Sequence, residues 1–144
     1  RQDKSGQIIL EALKNYGIAD PAYHVLPDEA EAILKKMHQC YKEKFDLVLT
    51  TGGTGLGPRD VTVEATQQFI DREVPGIMEA ARSFGQRRTP YAMLSRGIAG
   101  LKGGMLVVNL PGSSRGTEET LAAIFPAILH GYKMMEGGGH GVNA

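Results

Sequence analysis

The chain has 144 residues, 42% of them hydrophobic, with 16 basic against 16 acidic side chains and a formal net charge of +0. That makes one domain able to bury its own core, and the charge balance argues against a general nucleic-acid or anionic-membrane surface, which needs a basic excess. No run of about 18 apolar residues is present to span a bilayer, and the single Cys40 excludes an internal disulfide framework and fits a reducing, cytoplasmic compartment. Arg1 is not a natural start, so further chain is expected upstream.

Ser5 to Tyr16 reads as a helix, capped by Ser5 or Asp3, with Ile9, Leu13 and Tyr16 on one face and Gly17 as its stop. Tyr23 to Leu26 reads as a short strand. Pro27 and Asp28 open a second helix, with Asp28 as N-cap and Glu31 in an acidic variant of the capping box. Its buried stripe is Ala30, Ile33, Leu34, Met37 and Tyr41. Phe45 to Thr51 is a core strand. A helix from Thr62, its cap, to about Asp71 follows, and another runs from Pro75-Gly76 to about Phe84, with Gly85 as its stop. Gln86 to Lys102 is mixed, and Tyr91 to Leu94 reads as extended. Gly103-Gly104 turns into the apolar strand Met105 to Leu110. A helix spans Thr117 to Phe125, and Pro126 begins a further helical segment ending near Glu136. The glycine-rich end, residues 137–144, reads as a flexible tail.

Strands alternating with helices predict an α/β fold with a parallel or mostly parallel sheet covered on both faces. Ligands bind such sheets outside the carboxyl ends of the strands. Two apolar strands end in suitable loops. One passes into Thr51-Gly52-Gly53-Thr54-Gly55-Leu56-Gly57-Pro58-Arg59-Asp60, the other into Pro111-Gly112-Ser113-Ser114. Glycines let backbone N–H groups approach an anion closely, and a helix N-terminus favours negative charge by roughly 0.3–1 kcal/mol. The first loop is neither a Walker A sequence nor G-x-G-x-x-G. A site between the two loops is expected, with Arg59 either pairing a phosphate or solvated. Asp60 is either a turn residue or a functional carboxylate. The four histidines show no metal-ligand spacing.

Thr50-Thr51-Gly52-Gly53-Thr54-Gly55, Arg59-Asp60-Val61-Thr62, Asp71-Arg72-Glu73-Val74-Pro75-Gly76, Leu94-Ser95-Arg96 and Asn109-Leu110-Pro111-Gly112-Ser113 resemble, in order and spacing, the molybdopterin adenylyltransferase (MogA/MoaB) family, which includes the gephyrin G domain. In detail the chain is most similar to versions fused behind a cyclic pyranopterin monophosphate synthase. The resemblance implies a three-layer α/β sandwich, commonly a homotrimer, that joins molybdopterin and ATP into adenylyl-molybdopterin and releases pyrophosphate. It also implies that Asp28 and Asp60 are catalytic and hold Mg²⁺ or orient the reacting phosphate. The binding set it implies is Thr51, Gly52, Gly53, Thr54, Gly55, Arg59, Glu79, Ser95, Pro111, Gly112 and Ser113. The family opens with a strand and a short loop ahead of its Asp-Lys-Ser-Gly helix entry, and these are expected to be missing here. A competing expectation from another class is a binding or scaffold module that holds molybdopterin without turnover. A weaker one is an unrelated nucleotide-dependent α/β enzyme.

Overall fold

The computed structural model describes residues 3–135, so the expected tail lies outside the described residues. The chain runs α1 (Lys4–Asn15), α2 (Ala30–Lys42), β1 (Leu47–Thr51), α3 (Thr62–Phe69), β2 (Arg72–Glu73), α4 (Pro75–Gln86), a 3-10 turn (Pro90–Leu94), β3 (Ala99–Lys102), β4 (Met105–Leu110) and α5 (Ser114–Met135). The sheet order is β1-β4-β3-β2. β1 and β4 are parallel, from Leu47 opposite Leu106 to Thr51 opposite Leu110. β3 runs antiparallel to both β4 and β2. The α/β class is as expected, but the sheet among the described residues is mixed rather than mostly parallel. The reason is local: Gly103, at φ +57°, closes a tight hairpin between β3 and β4, and a two-residue link can join only antiparallel strands.

β4 is buried along its whole length and alternates between two apolar clusters. Leu106, Val108 and Leu110 face α1, α4 and α5, where Ile9, Leu13, Ala81, Ile124 and Phe125 pack. Met105 and Val107 face α2 and α3, against Ile33, Met37 and Phe69. The period-two alternation of the strand thus separates the two helical layers of a three-layer sandwich.

Several boundaries differ from the sequence expectation. Of the two candidate caps of α1, Asp3 does the capping: its Oδ1 accepts from Gly6 N at 3.0 Å. Ser5 is buried and its hydroxyl instead donates to Gly112 O at 2.7 Å. α2 begins at Ala30 with Glu29 as its N-cap and no side-chain capping bond, so Asp28 is not the cap. Val61, not Thr62, is the N-cap of α3, and Thr62 is its first residue. α3 stops at Phe69, leaving Arg72–Glu73 to form an exposed two-residue strand. α4 continues through buried Gly85, and the stretch read as extended at 91–94 belongs to the 3-10 turn. Pro126 sits inside one continuous α5. Its missing N–H costs about 3 kcal/mol in a helix interior, offset by packing of Leu121, Ile124, Phe125 and Ile128 into the core.

Residues 21–27 form no strand. A cavity of about 820 Å³ explains why. It lies between this stretch and the outer edge of β1, with α1 contributing Ile9 and Leu13 and α2 contributing Ile33 and Met37. Among the described residues β1 pairs only with β4, and its residues are half-buried where those of β4 are buried. Residues 23–26 therefore have no ladder partner among the described residues, and an extended segment without one is not a strand.

Asn109, fully buried on β4, ties the layers together. Its Oδ1 accepts from Ile98 N at 3.0 Å, and its Nδ2 donates to Thr50 Oγ1 at 3.0 Å and Thr66 Oγ1 at 3.1 Å. One side chain thus joins β1, α3 and the start of β3. Asn109→Ala strands the buried Ile98 N–H and opens a void, and we expect a loss of about 2–3 kcal/mol, read as a lower urea midpoint at unchanged m-value.

Candidate functional site

The parallel pairing of β1 and β4 sends both strand tips out of the same end of the sheet. There the two loops touch. Gly52 N donates to Leu110 O at 3.1 Å, and Thr51 Oγ1 donates to Pro111 O at 2.8 Å. A Cβ on Gly112 would lie 3.3 Å from Gly52 Cα, closer than most side chains allow. Thr117 Oγ1 donates to Pro111 O at 2.9 Å, and Ser113 Oγ accepts from Gly116 N at 3.1 Å, capping the start of α5. The bond from Ser5 to Gly112 O brings the α1 N-terminus alongside.

The first loop is bent by Gly52 at φ +88° and Gly53 at φ +71°. It is closed by Thr62 N donating to Gly53 O at 3.2 Å, and further along by Asp60, whose Oδ2 accepts from Gly57 N at 2.9 Å. Because Gly52 spends its N–H on Leu110, it is not a free donor. The amides of Gly53, Thr54, Gly55 and Leu56 find no acceptor among the described residues. Four consecutive N–H groups without an acceptor in a glycine-rich turn are candidate donors to an oxyanion.

The structure brings Thr51, Gly52, Gly53, Thr54, Gly55, Asp60, Pro111, Gly112 and Ser113 together at this end of the sheet. Arg59 is exposed on the same loop. Asp28 is exposed and lines the long cavity together with Thr50, Thr51 and Thr62, which carries it toward the first loop. It has no hydrogen-bond or ion-pair partner among the described residues. Ser95 is half-buried beside the loop's support: its Oγ accepts from Gly97 N at 3.3 Å and its carbonyl from Arg82 at 3.2 Å. Glu79 lies exposed on α4, and no described contact joins it to either loop. Among the described residues no group of three or more His, Cys, Asp or Glu could hold a metal ion.

Sequence reasoning named Arg96 only as part of a motif, yet it is the most connected side chain of the site. Its backbone N–H donates to Thr54 O at 2.8 Å, its Nε to Gly55 O at 2.7 Å and its Nη2 to Asp60 O at 2.8 Å. Its Nη1 meets Glu64 Oε2 at 2.6 Å, and this hydrogen bond holds the Glu64 carboxyl below the usual carboxylate range. The only hint in the sequence was an arginine next to the predicted site serine. At the neighbouring α1 cap, the Tyr23 hydroxyl donates to Asp3 Oδ2 at 2.5 Å. That bond, followed by the one from Gly6, lowers the Asp3 carboxyl, and it raises the Tyr23 hydroxyl.

Two glycine-bearing loops at adjacent strand tips, one with amides that find no acceptor among the described residues and a closing carboxylate, mark the candidate site of an α/β domain. Comparison with known proteins gives the family. Residues 1–130 match the model MoCF_biosynth, described as "Probable molybdopterin binding domain", and the chain belongs to that family of molybdenum cofactor biosynthesis proteins. It is 40% identical over 131 residues to a molybdopterin adenylyltransferase of Helicobacter pylori, covering 88% of this chain and 74% of that one. It is also 38% identical over 138 residues to a molybdenum cofactor biosynthesis bifunctional protein of Chlorobaculum tepidum, where the match covers 96% of this chain but 44% of the relative. Among solved structures, the molybdopterin biosynthesis enzyme MoaB of Thermus thermophilus superposes with a TM-score of 0.86 at 46% identity, covering 93% of this chain and 85% of that one. The Mog protein of Mycobacterium ulcerans gives 0.88 at 33% identity, covering 92% and 87%.

The loop geometry makes a direct prediction. A methyl group at Gly53 would overlap Thr62 Oγ1 and lie 3.0 Å from its Cβ, at a φ that side chains avoid. Gly53→Ala should cost about 1–2 kcal/mol from the backbone alone, with further loss from the clash. Gly76→Ala on α4, where nothing lies within 4 Å, should be neutral or stabilising by up to about 1 kcal/mol. Parallel urea titrations of the two variants check both signs.

Proposed function

We propose that this chain catalyses the adenylylation of molybdopterin by ATP. A phosphate oxygen of molybdopterin attacks the α-phosphorus of ATP, the bond to the β-phosphate breaks, and pyrophosphate leaves. The observation that carries the reading is the cradle of free amides from Gly53 to Leu56, set against the second loop by the β1–β4 pairing. The family membership and the name of the Helicobacter relative support it. Such a transfer asks the protein mainly for positioning and charge relief.

In this reading the amides of Gly53, Thr54, Gly55 and Leu56 hold phosphate oxygens. Arg59 supplies a nearby cation, and Pro111, Gly112 and Ser113 form the opposite wall. Ser95 acts behind the first loop, and Glu79 borders the ligand from α4. Asp28 and Asp60 would hold Mg²⁺, whose hard oxygen preference suits two carboxylates together with substrate phosphates. The ion would offset triphosphate charge.

The reading also takes the chain as a single molybdopterin-binding domain and the cavity beside β1 as room for a further strand on that edge. The β1 edge, unpaired on that side among the described residues, the apolar cavity walls and the extended 21–27 stretch support this. A second reading, a molybdopterin-binding or scaffold module without turnover, is favoured by the same open edge. A homotrimer is supported by the apolar side chains left exposed at Phe84, Tyr91, Met93 and Leu94. A fused or upstream synthase domain is supported by the bifunctional relative. A cytoplasmic location is supported by the single cysteine, and no helix among the described residues is long and apolar enough to cross a membrane.

The test is pyrophosphate release from ATP, Mg²⁺ and molybdopterin. Asp60→Ala and Asp28→Ala should each slow release by on the order of 10²-fold with the fold retained, Asp60→Ala losing about 1 kcal/mol of stability with its bond to Gly57 N. Normal release by either variant removes that residue from the mechanism. Tight molybdopterin binding with no release by the unaltered chain selects the module instead. A synthetic extended apolar peptide that adds to the β1 edge should raise the melting temperature, and no shift at saturating peptide overturns the strand assignment.

A further inference from the structure

We propose that Arg96 is a positioning residue that sets the aim of the anion-binding amides. Its main-chain and side-chain donors take three carbonyl oxygens of one loop, those of Thr54, Gly55 and Asp60. In a trans peptide the C=O of one residue and the N–H of the next point in opposite directions. Drawing the carbonyls of Thr54 and Gly55 toward Arg96 therefore turns the N–H groups of Gly55 and Leu56 away from it. Those are two of the four amides with no acceptor among the described residues. The hold on Asp60 O fixes the residue that closes the loop through Gly57 N.

The clamp is anchored at both ends. Glu64, in the first turn of α3, binds Nη1 and offsets the guanidinium charge. Arg82 on α4 donates to Ser95 O and, at 3.0 Å, to Gly97 O, pinning the backbone on either side of Arg96. Three of the four donors, Nε, Nη1 and Nη2, belong to the guanidinium and need its planar fork; a lysine would keep the backbone bond to Thr54 O but offers a point charge that cannot reach the other three partners. Each of the three guanidinium nitrogens binds the protein, at Gly55 O, Glu64 and Asp60 O, and the proposed action is through the loop.

Because the turnover arm of the test rests on the adenylylation reading, it is paired with a binding arm that does not. Arg96→Gln and the milder Arg96→Lys are compared with the unaltered chain for pyrophosphate affinity by calorimetry, for the change in the Leu56 amide NMR shift on adding pyrophosphate, and for kcat and KM in pyrophosphate release. Both variants should bind pyrophosphate more weakly by roughly tenfold, the loss of one good hydrogen bond to a charged group, and should show a smaller Leu56 shift at saturation, because Gly55 O loses the Arg96 Nε donor. In turnover kcat should fall on the order of 10²-fold with a smaller change in the KM for ATP, and lysine should restore only a minor part. Millimolar guanidinium added to Arg96→Gln should recover part of the affinity. Unchanged pyrophosphate affinity and an unchanged Leu56 amide shift in a folded Arg96→Lys overturn the proposal. If the unaltered chain releases no pyrophosphate from ATP, the adenylylation reading fails alone, and the binding and amide-shift arms still decide the role of Arg96.

Discussion

The parallel pairing of β1 with β4 is the constraint on which the site depends. Two parallel neighbours end on the same side of a sheet, so the loops that leave them are adjacent without any further instruction. Thr51 opposite Leu110 is the last register pair, and the bond from Gly52 N to Leu110 O continues the ladder one step into the loop. A slip of one residue would turn Asn109 out of its pocket and break its bonds to Ile98, Thr50 and Thr66 together. The register is thus secured by a buried amide whose partners come from three elements, and the price of an error is an unsatisfied polar core.

How much of this was readable in the residues follows from where the signals are local. The β1 and β4 runs are apolar, short and followed by glycine and proline, so both strands and both loops were legible. β3 was not, because Gln86 to Lys102 mixes charges, a proline and glycines. β2 was missed because it is two exposed residues, Arg72 and Glu73, held only by pairing with Leu101 and Gly100. Pro126 misled for a related reason. Local propensity ends a helix there, and tertiary burial of the flanking Ile124, Phe125 and Ile128 carries it through.

The capping errors are more instructive. Asp28 has the sequence position of an N-cap, but α2 starts two residues later behind Glu29, which makes no capping bond. A helix start that leaves its best capping residue unused is locally suboptimal, and such lapses concentrate at functional positions. Asp28 is left exposed on the wall of the cavity that reaches Thr51 and Thr62. At the other loop the sequence suggested amides from Gly52 to Gly55. The structure moves that run one residue onward, because only the finished sheet reveals that Gly52 is committed to Leu110.

Asp60 raises the remaining electrostatic question. Its carboxylate faces the glycine turn, where a Cβ on Gly55 would lie 2.9 Å from Oδ2 and one on Gly57 3.1 Å. Glycine at both positions lets the carboxylate sit this close to the backbone without shifting. A negative group beside an oxyanion cradle opposes the binding of a phosphate unless a cation lies between them. Arg96 does not fill that role, since its charge is matched by Glu64 and its donors point into the loop. Arg59 is exposed and carries one charge, against the several of a triphosphate. The proposed reaction resolves the conflict if the nucleotide brings its own divalent ion, with Asp60 and Asp28 each contributing an oxygen ligand. Two carboxylates, with no cluster of three or more metal-ligating side chains among the described residues, would suit an ion that keeps most of its coordination for water and phosphate.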